Sequence, residues 1–136
     1  MNEISAQTRK QIDRLHAEML QMPQIDIPTV HTFGPGFYAR TIHIPRGAAL
    51  VGKVHATEHI FFVSKGEIEL VTEDSRLRVT APFQAVCRPG LKRAGYAITD
   101  VVCTNVHITT ETDLDRLEAE LIKNEALEYE PAKVDV

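Results

Sequence analysis

The chain reads as an all-β barrel or sandwich with a helix at each end, and three observations say so. From Phe37 to Ile108 the apolar residues fall in short runs of strand length, separated by Gly, Pro and Asp/Ser turn signals. No helical repeat interrupts those runs, which excludes a doubly wound α/β sheet. Before and after them, apolar residues recur at three- and four-residue intervals, the period of an amphipathic helix.

In order along the chain, Ile4 to about Gln21 is predicted helical, with Ile12, Leu15 and Met19 on one stripe and Pro23 as the stop. Pro23 to Gly36 is extended, punctuated by Pro28, Gly34 and Pro35, and is expected to lie along the sheet as an arm carrying His31. The strands expected next are Tyr38–Ile44, Ala49–His55, His59–Ser64, Glu67–Thr72, Leu77–Thr80, Gln84–Arg88, Lys92–Ile98 and Val101–Ile108. Thr110 or Thr112 is expected to cap a second helix with Leu114, Leu117, Leu121 and Ile122 as its stripe. Periodicity fades from Asn124, and the tail from Glu128 is expected to be loosely held. The organisation is therefore helix and arm over 1–35, barrel over 36–109, and helix with tail over 110–136, all one domain.

A length of 136 residues suits one hydrophobic core. The formal net charge of −4 and the absence of tryptophan argue against a nucleic-acid binder, which needs a basic stripe and stacking aromatics. No apolar run is long enough for a membrane span, and no signal-peptide core opens the chain, so a cytoplasmic protein is expected. Cys87 and Cys103 lie outside any metal-ligand spacing and are expected as free core thiols. No nucleophile motif, phosphate loop or dinucleotide fingerprint is present.

The chemistry gathers in Leu50–Glu67. If the segment through Lys53 and His55 is a strand, the two share one face. A following strand on the same interior would add His59, Phe61 and Val63. Polar groups on an inward face need partners, so this is the candidate site.

The pattern resembles the first cupin motif, in which two histidines one residue apart are followed by a glutamate and a glycine. Here His55 takes the second histidine and Gly66 the glycine, while Lys53 stands at the first histidine and His59 at the glutamate. Pro89-Gly90-Leu91-Lys92-Arg93 resembles the second motif, with Arg93 near its histidine. The resemblance spans roughly Gly36 to Thr109 and implies a cupin-type (jelly-roll) β-barrel. Gly36–Arg40, His55–His59 and Pro89–Arg93 further resemble small cupin-like proteins encoded by tailed bacteriophages, which implies the host cytoplasm. Cupins usually pair, so a homodimer through the arm or an outer sheet is expected.

Three functions remain open. The leading one is a pocket for a small anionic metabolite or nucleotide-like ligand: Arg93 holds a carboxylate or phosphate through its planar fork, Lys53 adds a point charge, His55 and His59 exchange protons, and Tyr38, Phe61 and Tyr96 line the walls. The second is a metal-dependent cupin enzyme or isomerase. His55 and His59 would ligate a divalent transition metal (zinc, manganese, iron or nickel), with a third ligand from Glu58, His107, His43 or Cys87. In the metal-free isomerase version, His55 or His59 is the base and Tyr96 the acid. The third is a phage structural or interaction protein with a vestigial site.

Overall fold

A computed structural model describes residues 2–122. The fading periodicity expected from Asn124 and the loosely held tail expected from Glu128 lie outside the described residues. Eleven elements follow one another: α1 (Glu3–Met19), β1 (Thr29–Gly34), β2 (Phe37–Ile44), β3 (Ala49–Val51), β4 (His59–Lys65), β5 (Glu67–Thr72), β6 (Arg76–Thr80), β7 (Phe83–Cys87), β8 (Arg93–Ala97), β9 (Val101–Ile108) and α2 (Leu114–Leu121). The strands form two antiparallel sheets, one of five strands in the order β1-β2-β9-β4-β7 and one of four in the order β3-β8-β5-β6. This is the two-sheet barrel expected from the turn spacing.

Alternation along each strand builds the core. Ile42 and Ile44 of β2, Phe61 and Val63 of β4, Ile68 and Leu70 of β5, and Val101 and Cys103 of β9 point between the sheets. Gly66 joins β4 to β5 at φ +88°, a backbone open to glycine, and an added Cβ there would collide with the Asp100 carbonyl. The expected arm becomes a strand: β1 pairs with β2 in an antiparallel hairpin, with Phe33 opposite Tyr38.

α1 is capped by Asn2, whose Oδ1 accepts from the Ser5 amide at 2.8 Å. It lies over β3 and β5. Its buried face is Ile12, Asp13 and Ala17, whereas Leu15 of the expected stripe is exposed. Polar attachments displace the stripe. Lys92, fully buried, donates to Asp13 at 2.7 Å, and Arg9 donates to Glu73 at 2.8 Å and to the Gly90 carbonyl at 3.0 Å. α2 is capped by Asp113 rather than Thr110 or Thr112, its carboxylate accepting from the Arg116 amide at 3.1 Å. Leu117 and Leu121 pack on Tyr38, and the Leu121 carbonyl accepts from the Ala56 amide at 2.7 Å. α2 therefore lies across the end of the barrel where His55 stands.

Candidate functional site

The strand expected over Ala49–His55 ends at Val51, and this decides the fate of two site residues. Past Val51 the chain no longer alternates as a strand. Lys53 turns outward, its side chain 62% exposed and paired with Glu118. It does not join the cavity, which corrects its expected place beside His55. His55 itself is half-buried and makes a single bridge to Ile122.

β4 and β9 bring two further imidazoles to His55. His59 opens β4 and His107 is the penultimate residue of β9, both pointing inward and buried. Ring centroids stand 4.4 Å apart for His55 and His59, and 4.8 Å for each with His107. One nitrogen from each lies within 4.8 Å of the other two. His59 Nδ1 donates to the Thr57 carbonyl at 3.1 Å, which leaves Nε2 with its lone pair free. His55 Nδ1 and His107 Nδ1 are buried with no hydrogen-bond partner, and His59 Nε2 has none of good geometry, although Asn105 stands near enough to favour its charged form. Buried polar atoms are almost always paired, so three converging orphans mark a binding site. Of the third ligands open at the sequence level, the fold selects His107; Glu58 and His43 are exposed, and Cys87 is occupied elsewhere.

Burial, reinforced by the neighbouring imidazoles and by Arg93 and Arg40, pushes His55 down to about 3. The same causes, burial first, push His107 to about 4. Burial also lowers His59, with the Thr57 hydrogen bond opposing. All three are thus neutral near pH 7, the form a metal requires. In the unfolded chain an imidazole titrates near 6.5. Between about 6.5 and 4 the unfolded state then binds more protons, so stability falls as pH falls. Melting of chelator-treated protein is expected to weaken across this window by up to ~1.4 kcal/mol per pH unit for each histidine. The His55→Gln/His107→Gln double variant is expected to show a shallower dependence. Parallel profiles for the two proteins would remove this account.

Arg93 lies beside the triad. Its guanidinium covers the Phe61 ring at 4.1 Å and donates to Cys87 Sγ at 3.0 Å and Asn105 Oδ1 at 2.9 Å. These partners are neutral, and among the described residues no carboxylate pairs with it. Burial lowers its pKa, yet an arginine stays charged at neutral pH. Arg40 shares the inward face of β2 with Tyr38 and stands opposite Asn105. Strand alternation alone sets Arg40 two residues from Tyr38 on one face, so a signal for it was present in the sequence. Tyr38 is buried against His107 at a ring distance of 6.2 Å, and its hydroxyl meets His31 Nδ1 at 2.6 Å. Tyr96 is 46% exposed and lies on the face of β8 opposite to Arg93. The two are three positions apart, an odd offset, so alternation parts them. The expected acid and wall residue is therefore absent from the cavity.

No protein-family profile matches the sequence, and no curated protein does either. Among solved structures, the fold is similar to KdgF from Halomonas sp., with a TM-score of 0.54 at 17% identity over 65% of this chain and 86% of that one. It is similar to the Cnp3 cupin domain of Schizosaccharomyces pombe, with a TM-score of 0.54 at 18% identity over 74% of this chain and 70% of that one. A cupin superfamily protein from Desulfitobacterium hafniense gives 0.53 at 6% identity over 68% and 85% of the respective chains. At such identities the likeness is one of fold: the chain has the cupin double-stranded β-helix.

Proposed function

We propose that the protein is a metal-binding cupin-type protein whose barrel takes a small anionic molecule. His55, His59 and His107 hold a divalent transition metal, and Arg93 and Arg40 supply positive charge for the anion. The observation that carries this reading is the convergence of three buried, unpartnered, neutral imidazole nitrogens. Three neutral imidazoles suit zinc, nickel, iron or manganese and leave coordination positions open. Lys53 is turned aside from the triad, whereas the charges of Arg93 and Arg40 act on the imidazoles and would be offset beside a dication by the bound anion. Lys53 pairs with Glu118, and the Arg93 fork is directed to Cys87 and Asn105. A bound metal would supply Lewis acidity next to the anion. The chain's own groups orient it: Thr57 sets the His59 tautomer, and Phe61 holds the Arg93 plane.

Elemental analysis of freshly purified protein tests this directly, with about one equivalent of a transition metal expected. Loading with cobalt(II) should give visible absorption bands that the His107→Ala variant lacks. Protein that takes up no metal and shows no such bands would leave the metal-free anion pocket as the function, a reading favoured by the lack of acidic partners around Arg93.

The reading includes a homodimer. Register places Val30, Phe37, Ala39, Ile60, Phe62, Val86, Val106 and Ile108 on the outer face of the five-stranded sheet. In those strands the one charged outward position is Lys65, at the bulged end of β4. Val86 is 67% and Ile108 88% exposed. Five strands at ~4.8 Å spacing and up to ~26 Å long present roughly 600 Å² of projected area. That lies at the upper end of a typical monomer's largest patch and below the ~800 Å² per partner of a standard interface. A charge-poor face meets its own copy without repulsion, as a two-fold contact requires. Light scattering at tens of micromolar is expected to show a dimer for the wild type and a folded monomer for Ile60→Asp/Val106→Asp. A monomeric wild type overturns the interface. Cys87 and Cys103, both buried and unbonded, fit a reducing compartment, the host cytoplasm for a phage-encoded chain.

A further inference from the structure

The two sheets end on β6 and β7, and neither of these strands pairs across the gap. A cavity of about 320 Å³ opens there, reaching from Phe83 to Arg93 along the inner face of β7. Its body is apolar, walled by Phe61, Leu70, Leu77, Phe83 and Leu91. Buried Cys87 and partly buried Arg93 lie at its inner end, and exposed Asp74 and Arg88 at its rim.

Charge selects the ligand. Of the three ionic side chains on the wall, Arg88 and Asp74 satisfy each other, with Arg88 Nε donating at 2.8 Å. Arg93 has only neutral partners, and an arginine partly withdrawn from water without a counter-charge is costly unless an anion reaches it. The wall also excludes a ligand rich in hydroxyls. Thr72 and Ser75 are its only hydroxyl side chains, and they already hydrogen-bond each other at 3.2 Å, so sugar hydroxyls would be buried unpaired. The volume lies at the lower end for small-molecule sites.

We propose that this side cavity binds a compact carboxylate with an apolar aryl or short alkyl body, its carboxylate on Arg93 and its body among Leu70, Leu77, Phe83 and Leu91. The proposal rests on the small-anion reading of the barrel but not on the metal. It narrows the nucleotide-like or other small anion to an amphipathic acid, entering between β6 and β7.

Calorimetric titration of the full chain with phenylacetate tests it, with phenylacetamide and glucose 6-phosphate as controls. Phenylacetate is expected to bind at least tenfold more tightly than either control. Arg93→Gln is expected to weaken it at least tenfold, and Ala85→Leu, which fills the cavity wall, to weaken it similarly while Arg93 is kept. Equal binding of the amide, preference for the sugar phosphate, or full binding by Ala85→Leu each overturns the proposal. His55→Ala/His107→Ala separates it from the metal reading. Phenylacetate binding retained after metal uptake is lost supports the Arg93 site. Binding lost together with the metal assigns the carboxylate to the metal and overturns it.

Discussion

Zinc or cobalt(II) added to chelator-treated protein is expected to raise the melting temperature by roughly 8–11 °C at one hundred times the dissociation constant. Such saturation contributes about 2.7 kcal/mol if the unfolded chain does not bind. For a chain of this size each kcal/mol moves the midpoint by roughly 3–4 °C. The gain arises because folding has already gathered His55, His59 and His107 and left one nitrogen of each unpartnered. Binding to scattered histidines of the unfolded chain would reduce the shift, so its size reports how well the folded site is preformed. Replacing any one of the three by Ala should remove most of the shift, while His43→Ala, on the outer face of β2, should leave it intact. A shift that survives His107→Ala would sink the triad.

The second large effect lies far from the site. Asp13→Asn is expected to destabilise the protein by about 3–5 kcal/mol, the usual penalty for taking a carboxylate from a buried ion pair. Lys92 has no exposed surface, and Asp13 is its 2.7 Å partner. Such a loss is a large share of the ~5–15 kcal/mol that holds a domain. Removing both charges in Asp13→Leu/Lys92→Met should recover most of it, because apolar groups of similar volume need no counter-charge. Urea unfolding gives the magnitude, and limited proteolysis within α1 shows whether the helix detaches first. An Asp13→Asn loss under about 1 kcal/mol would mean that the pair contributes little to docking.

The barrel was legible because strand alternation and turn chemistry are local: a Pro-Gly or Asp-Ser pair marks its turn whatever surrounds it. His59 and Phe61 were placed inward by the same rule, and the structure puts them there; Arg93, placed by its motif position, lies over the Phe61 ring. The rule failed where its premise failed. Lys53 and His55 share a face only on a strand, and the strand stops at Val51. Tyr96 was set beside Arg93 although the three-residue separation opposes them on β8.

The choice among Glu58, His107, His43 and Cys87 as third ligand lay beyond any local pattern. It depends on which end of β9 lies beside β4, where Ile60 faces Val106. The helix stripe misled for a related reason. α1 docks by Arg9, Asp13 and Lys92, and an ion pair between residues 79 positions apart leaves no periodic trace. Sequence by itself determined the fold class and the inward strand faces, because these follow from backbone geometry one residue at a time. Tertiary structure alone decided the three-histidine centre, the isolation of Arg93 from carboxylates and the opening between β6 and β7. Each depends on strand register and sheet order, set by packing the whole core at once.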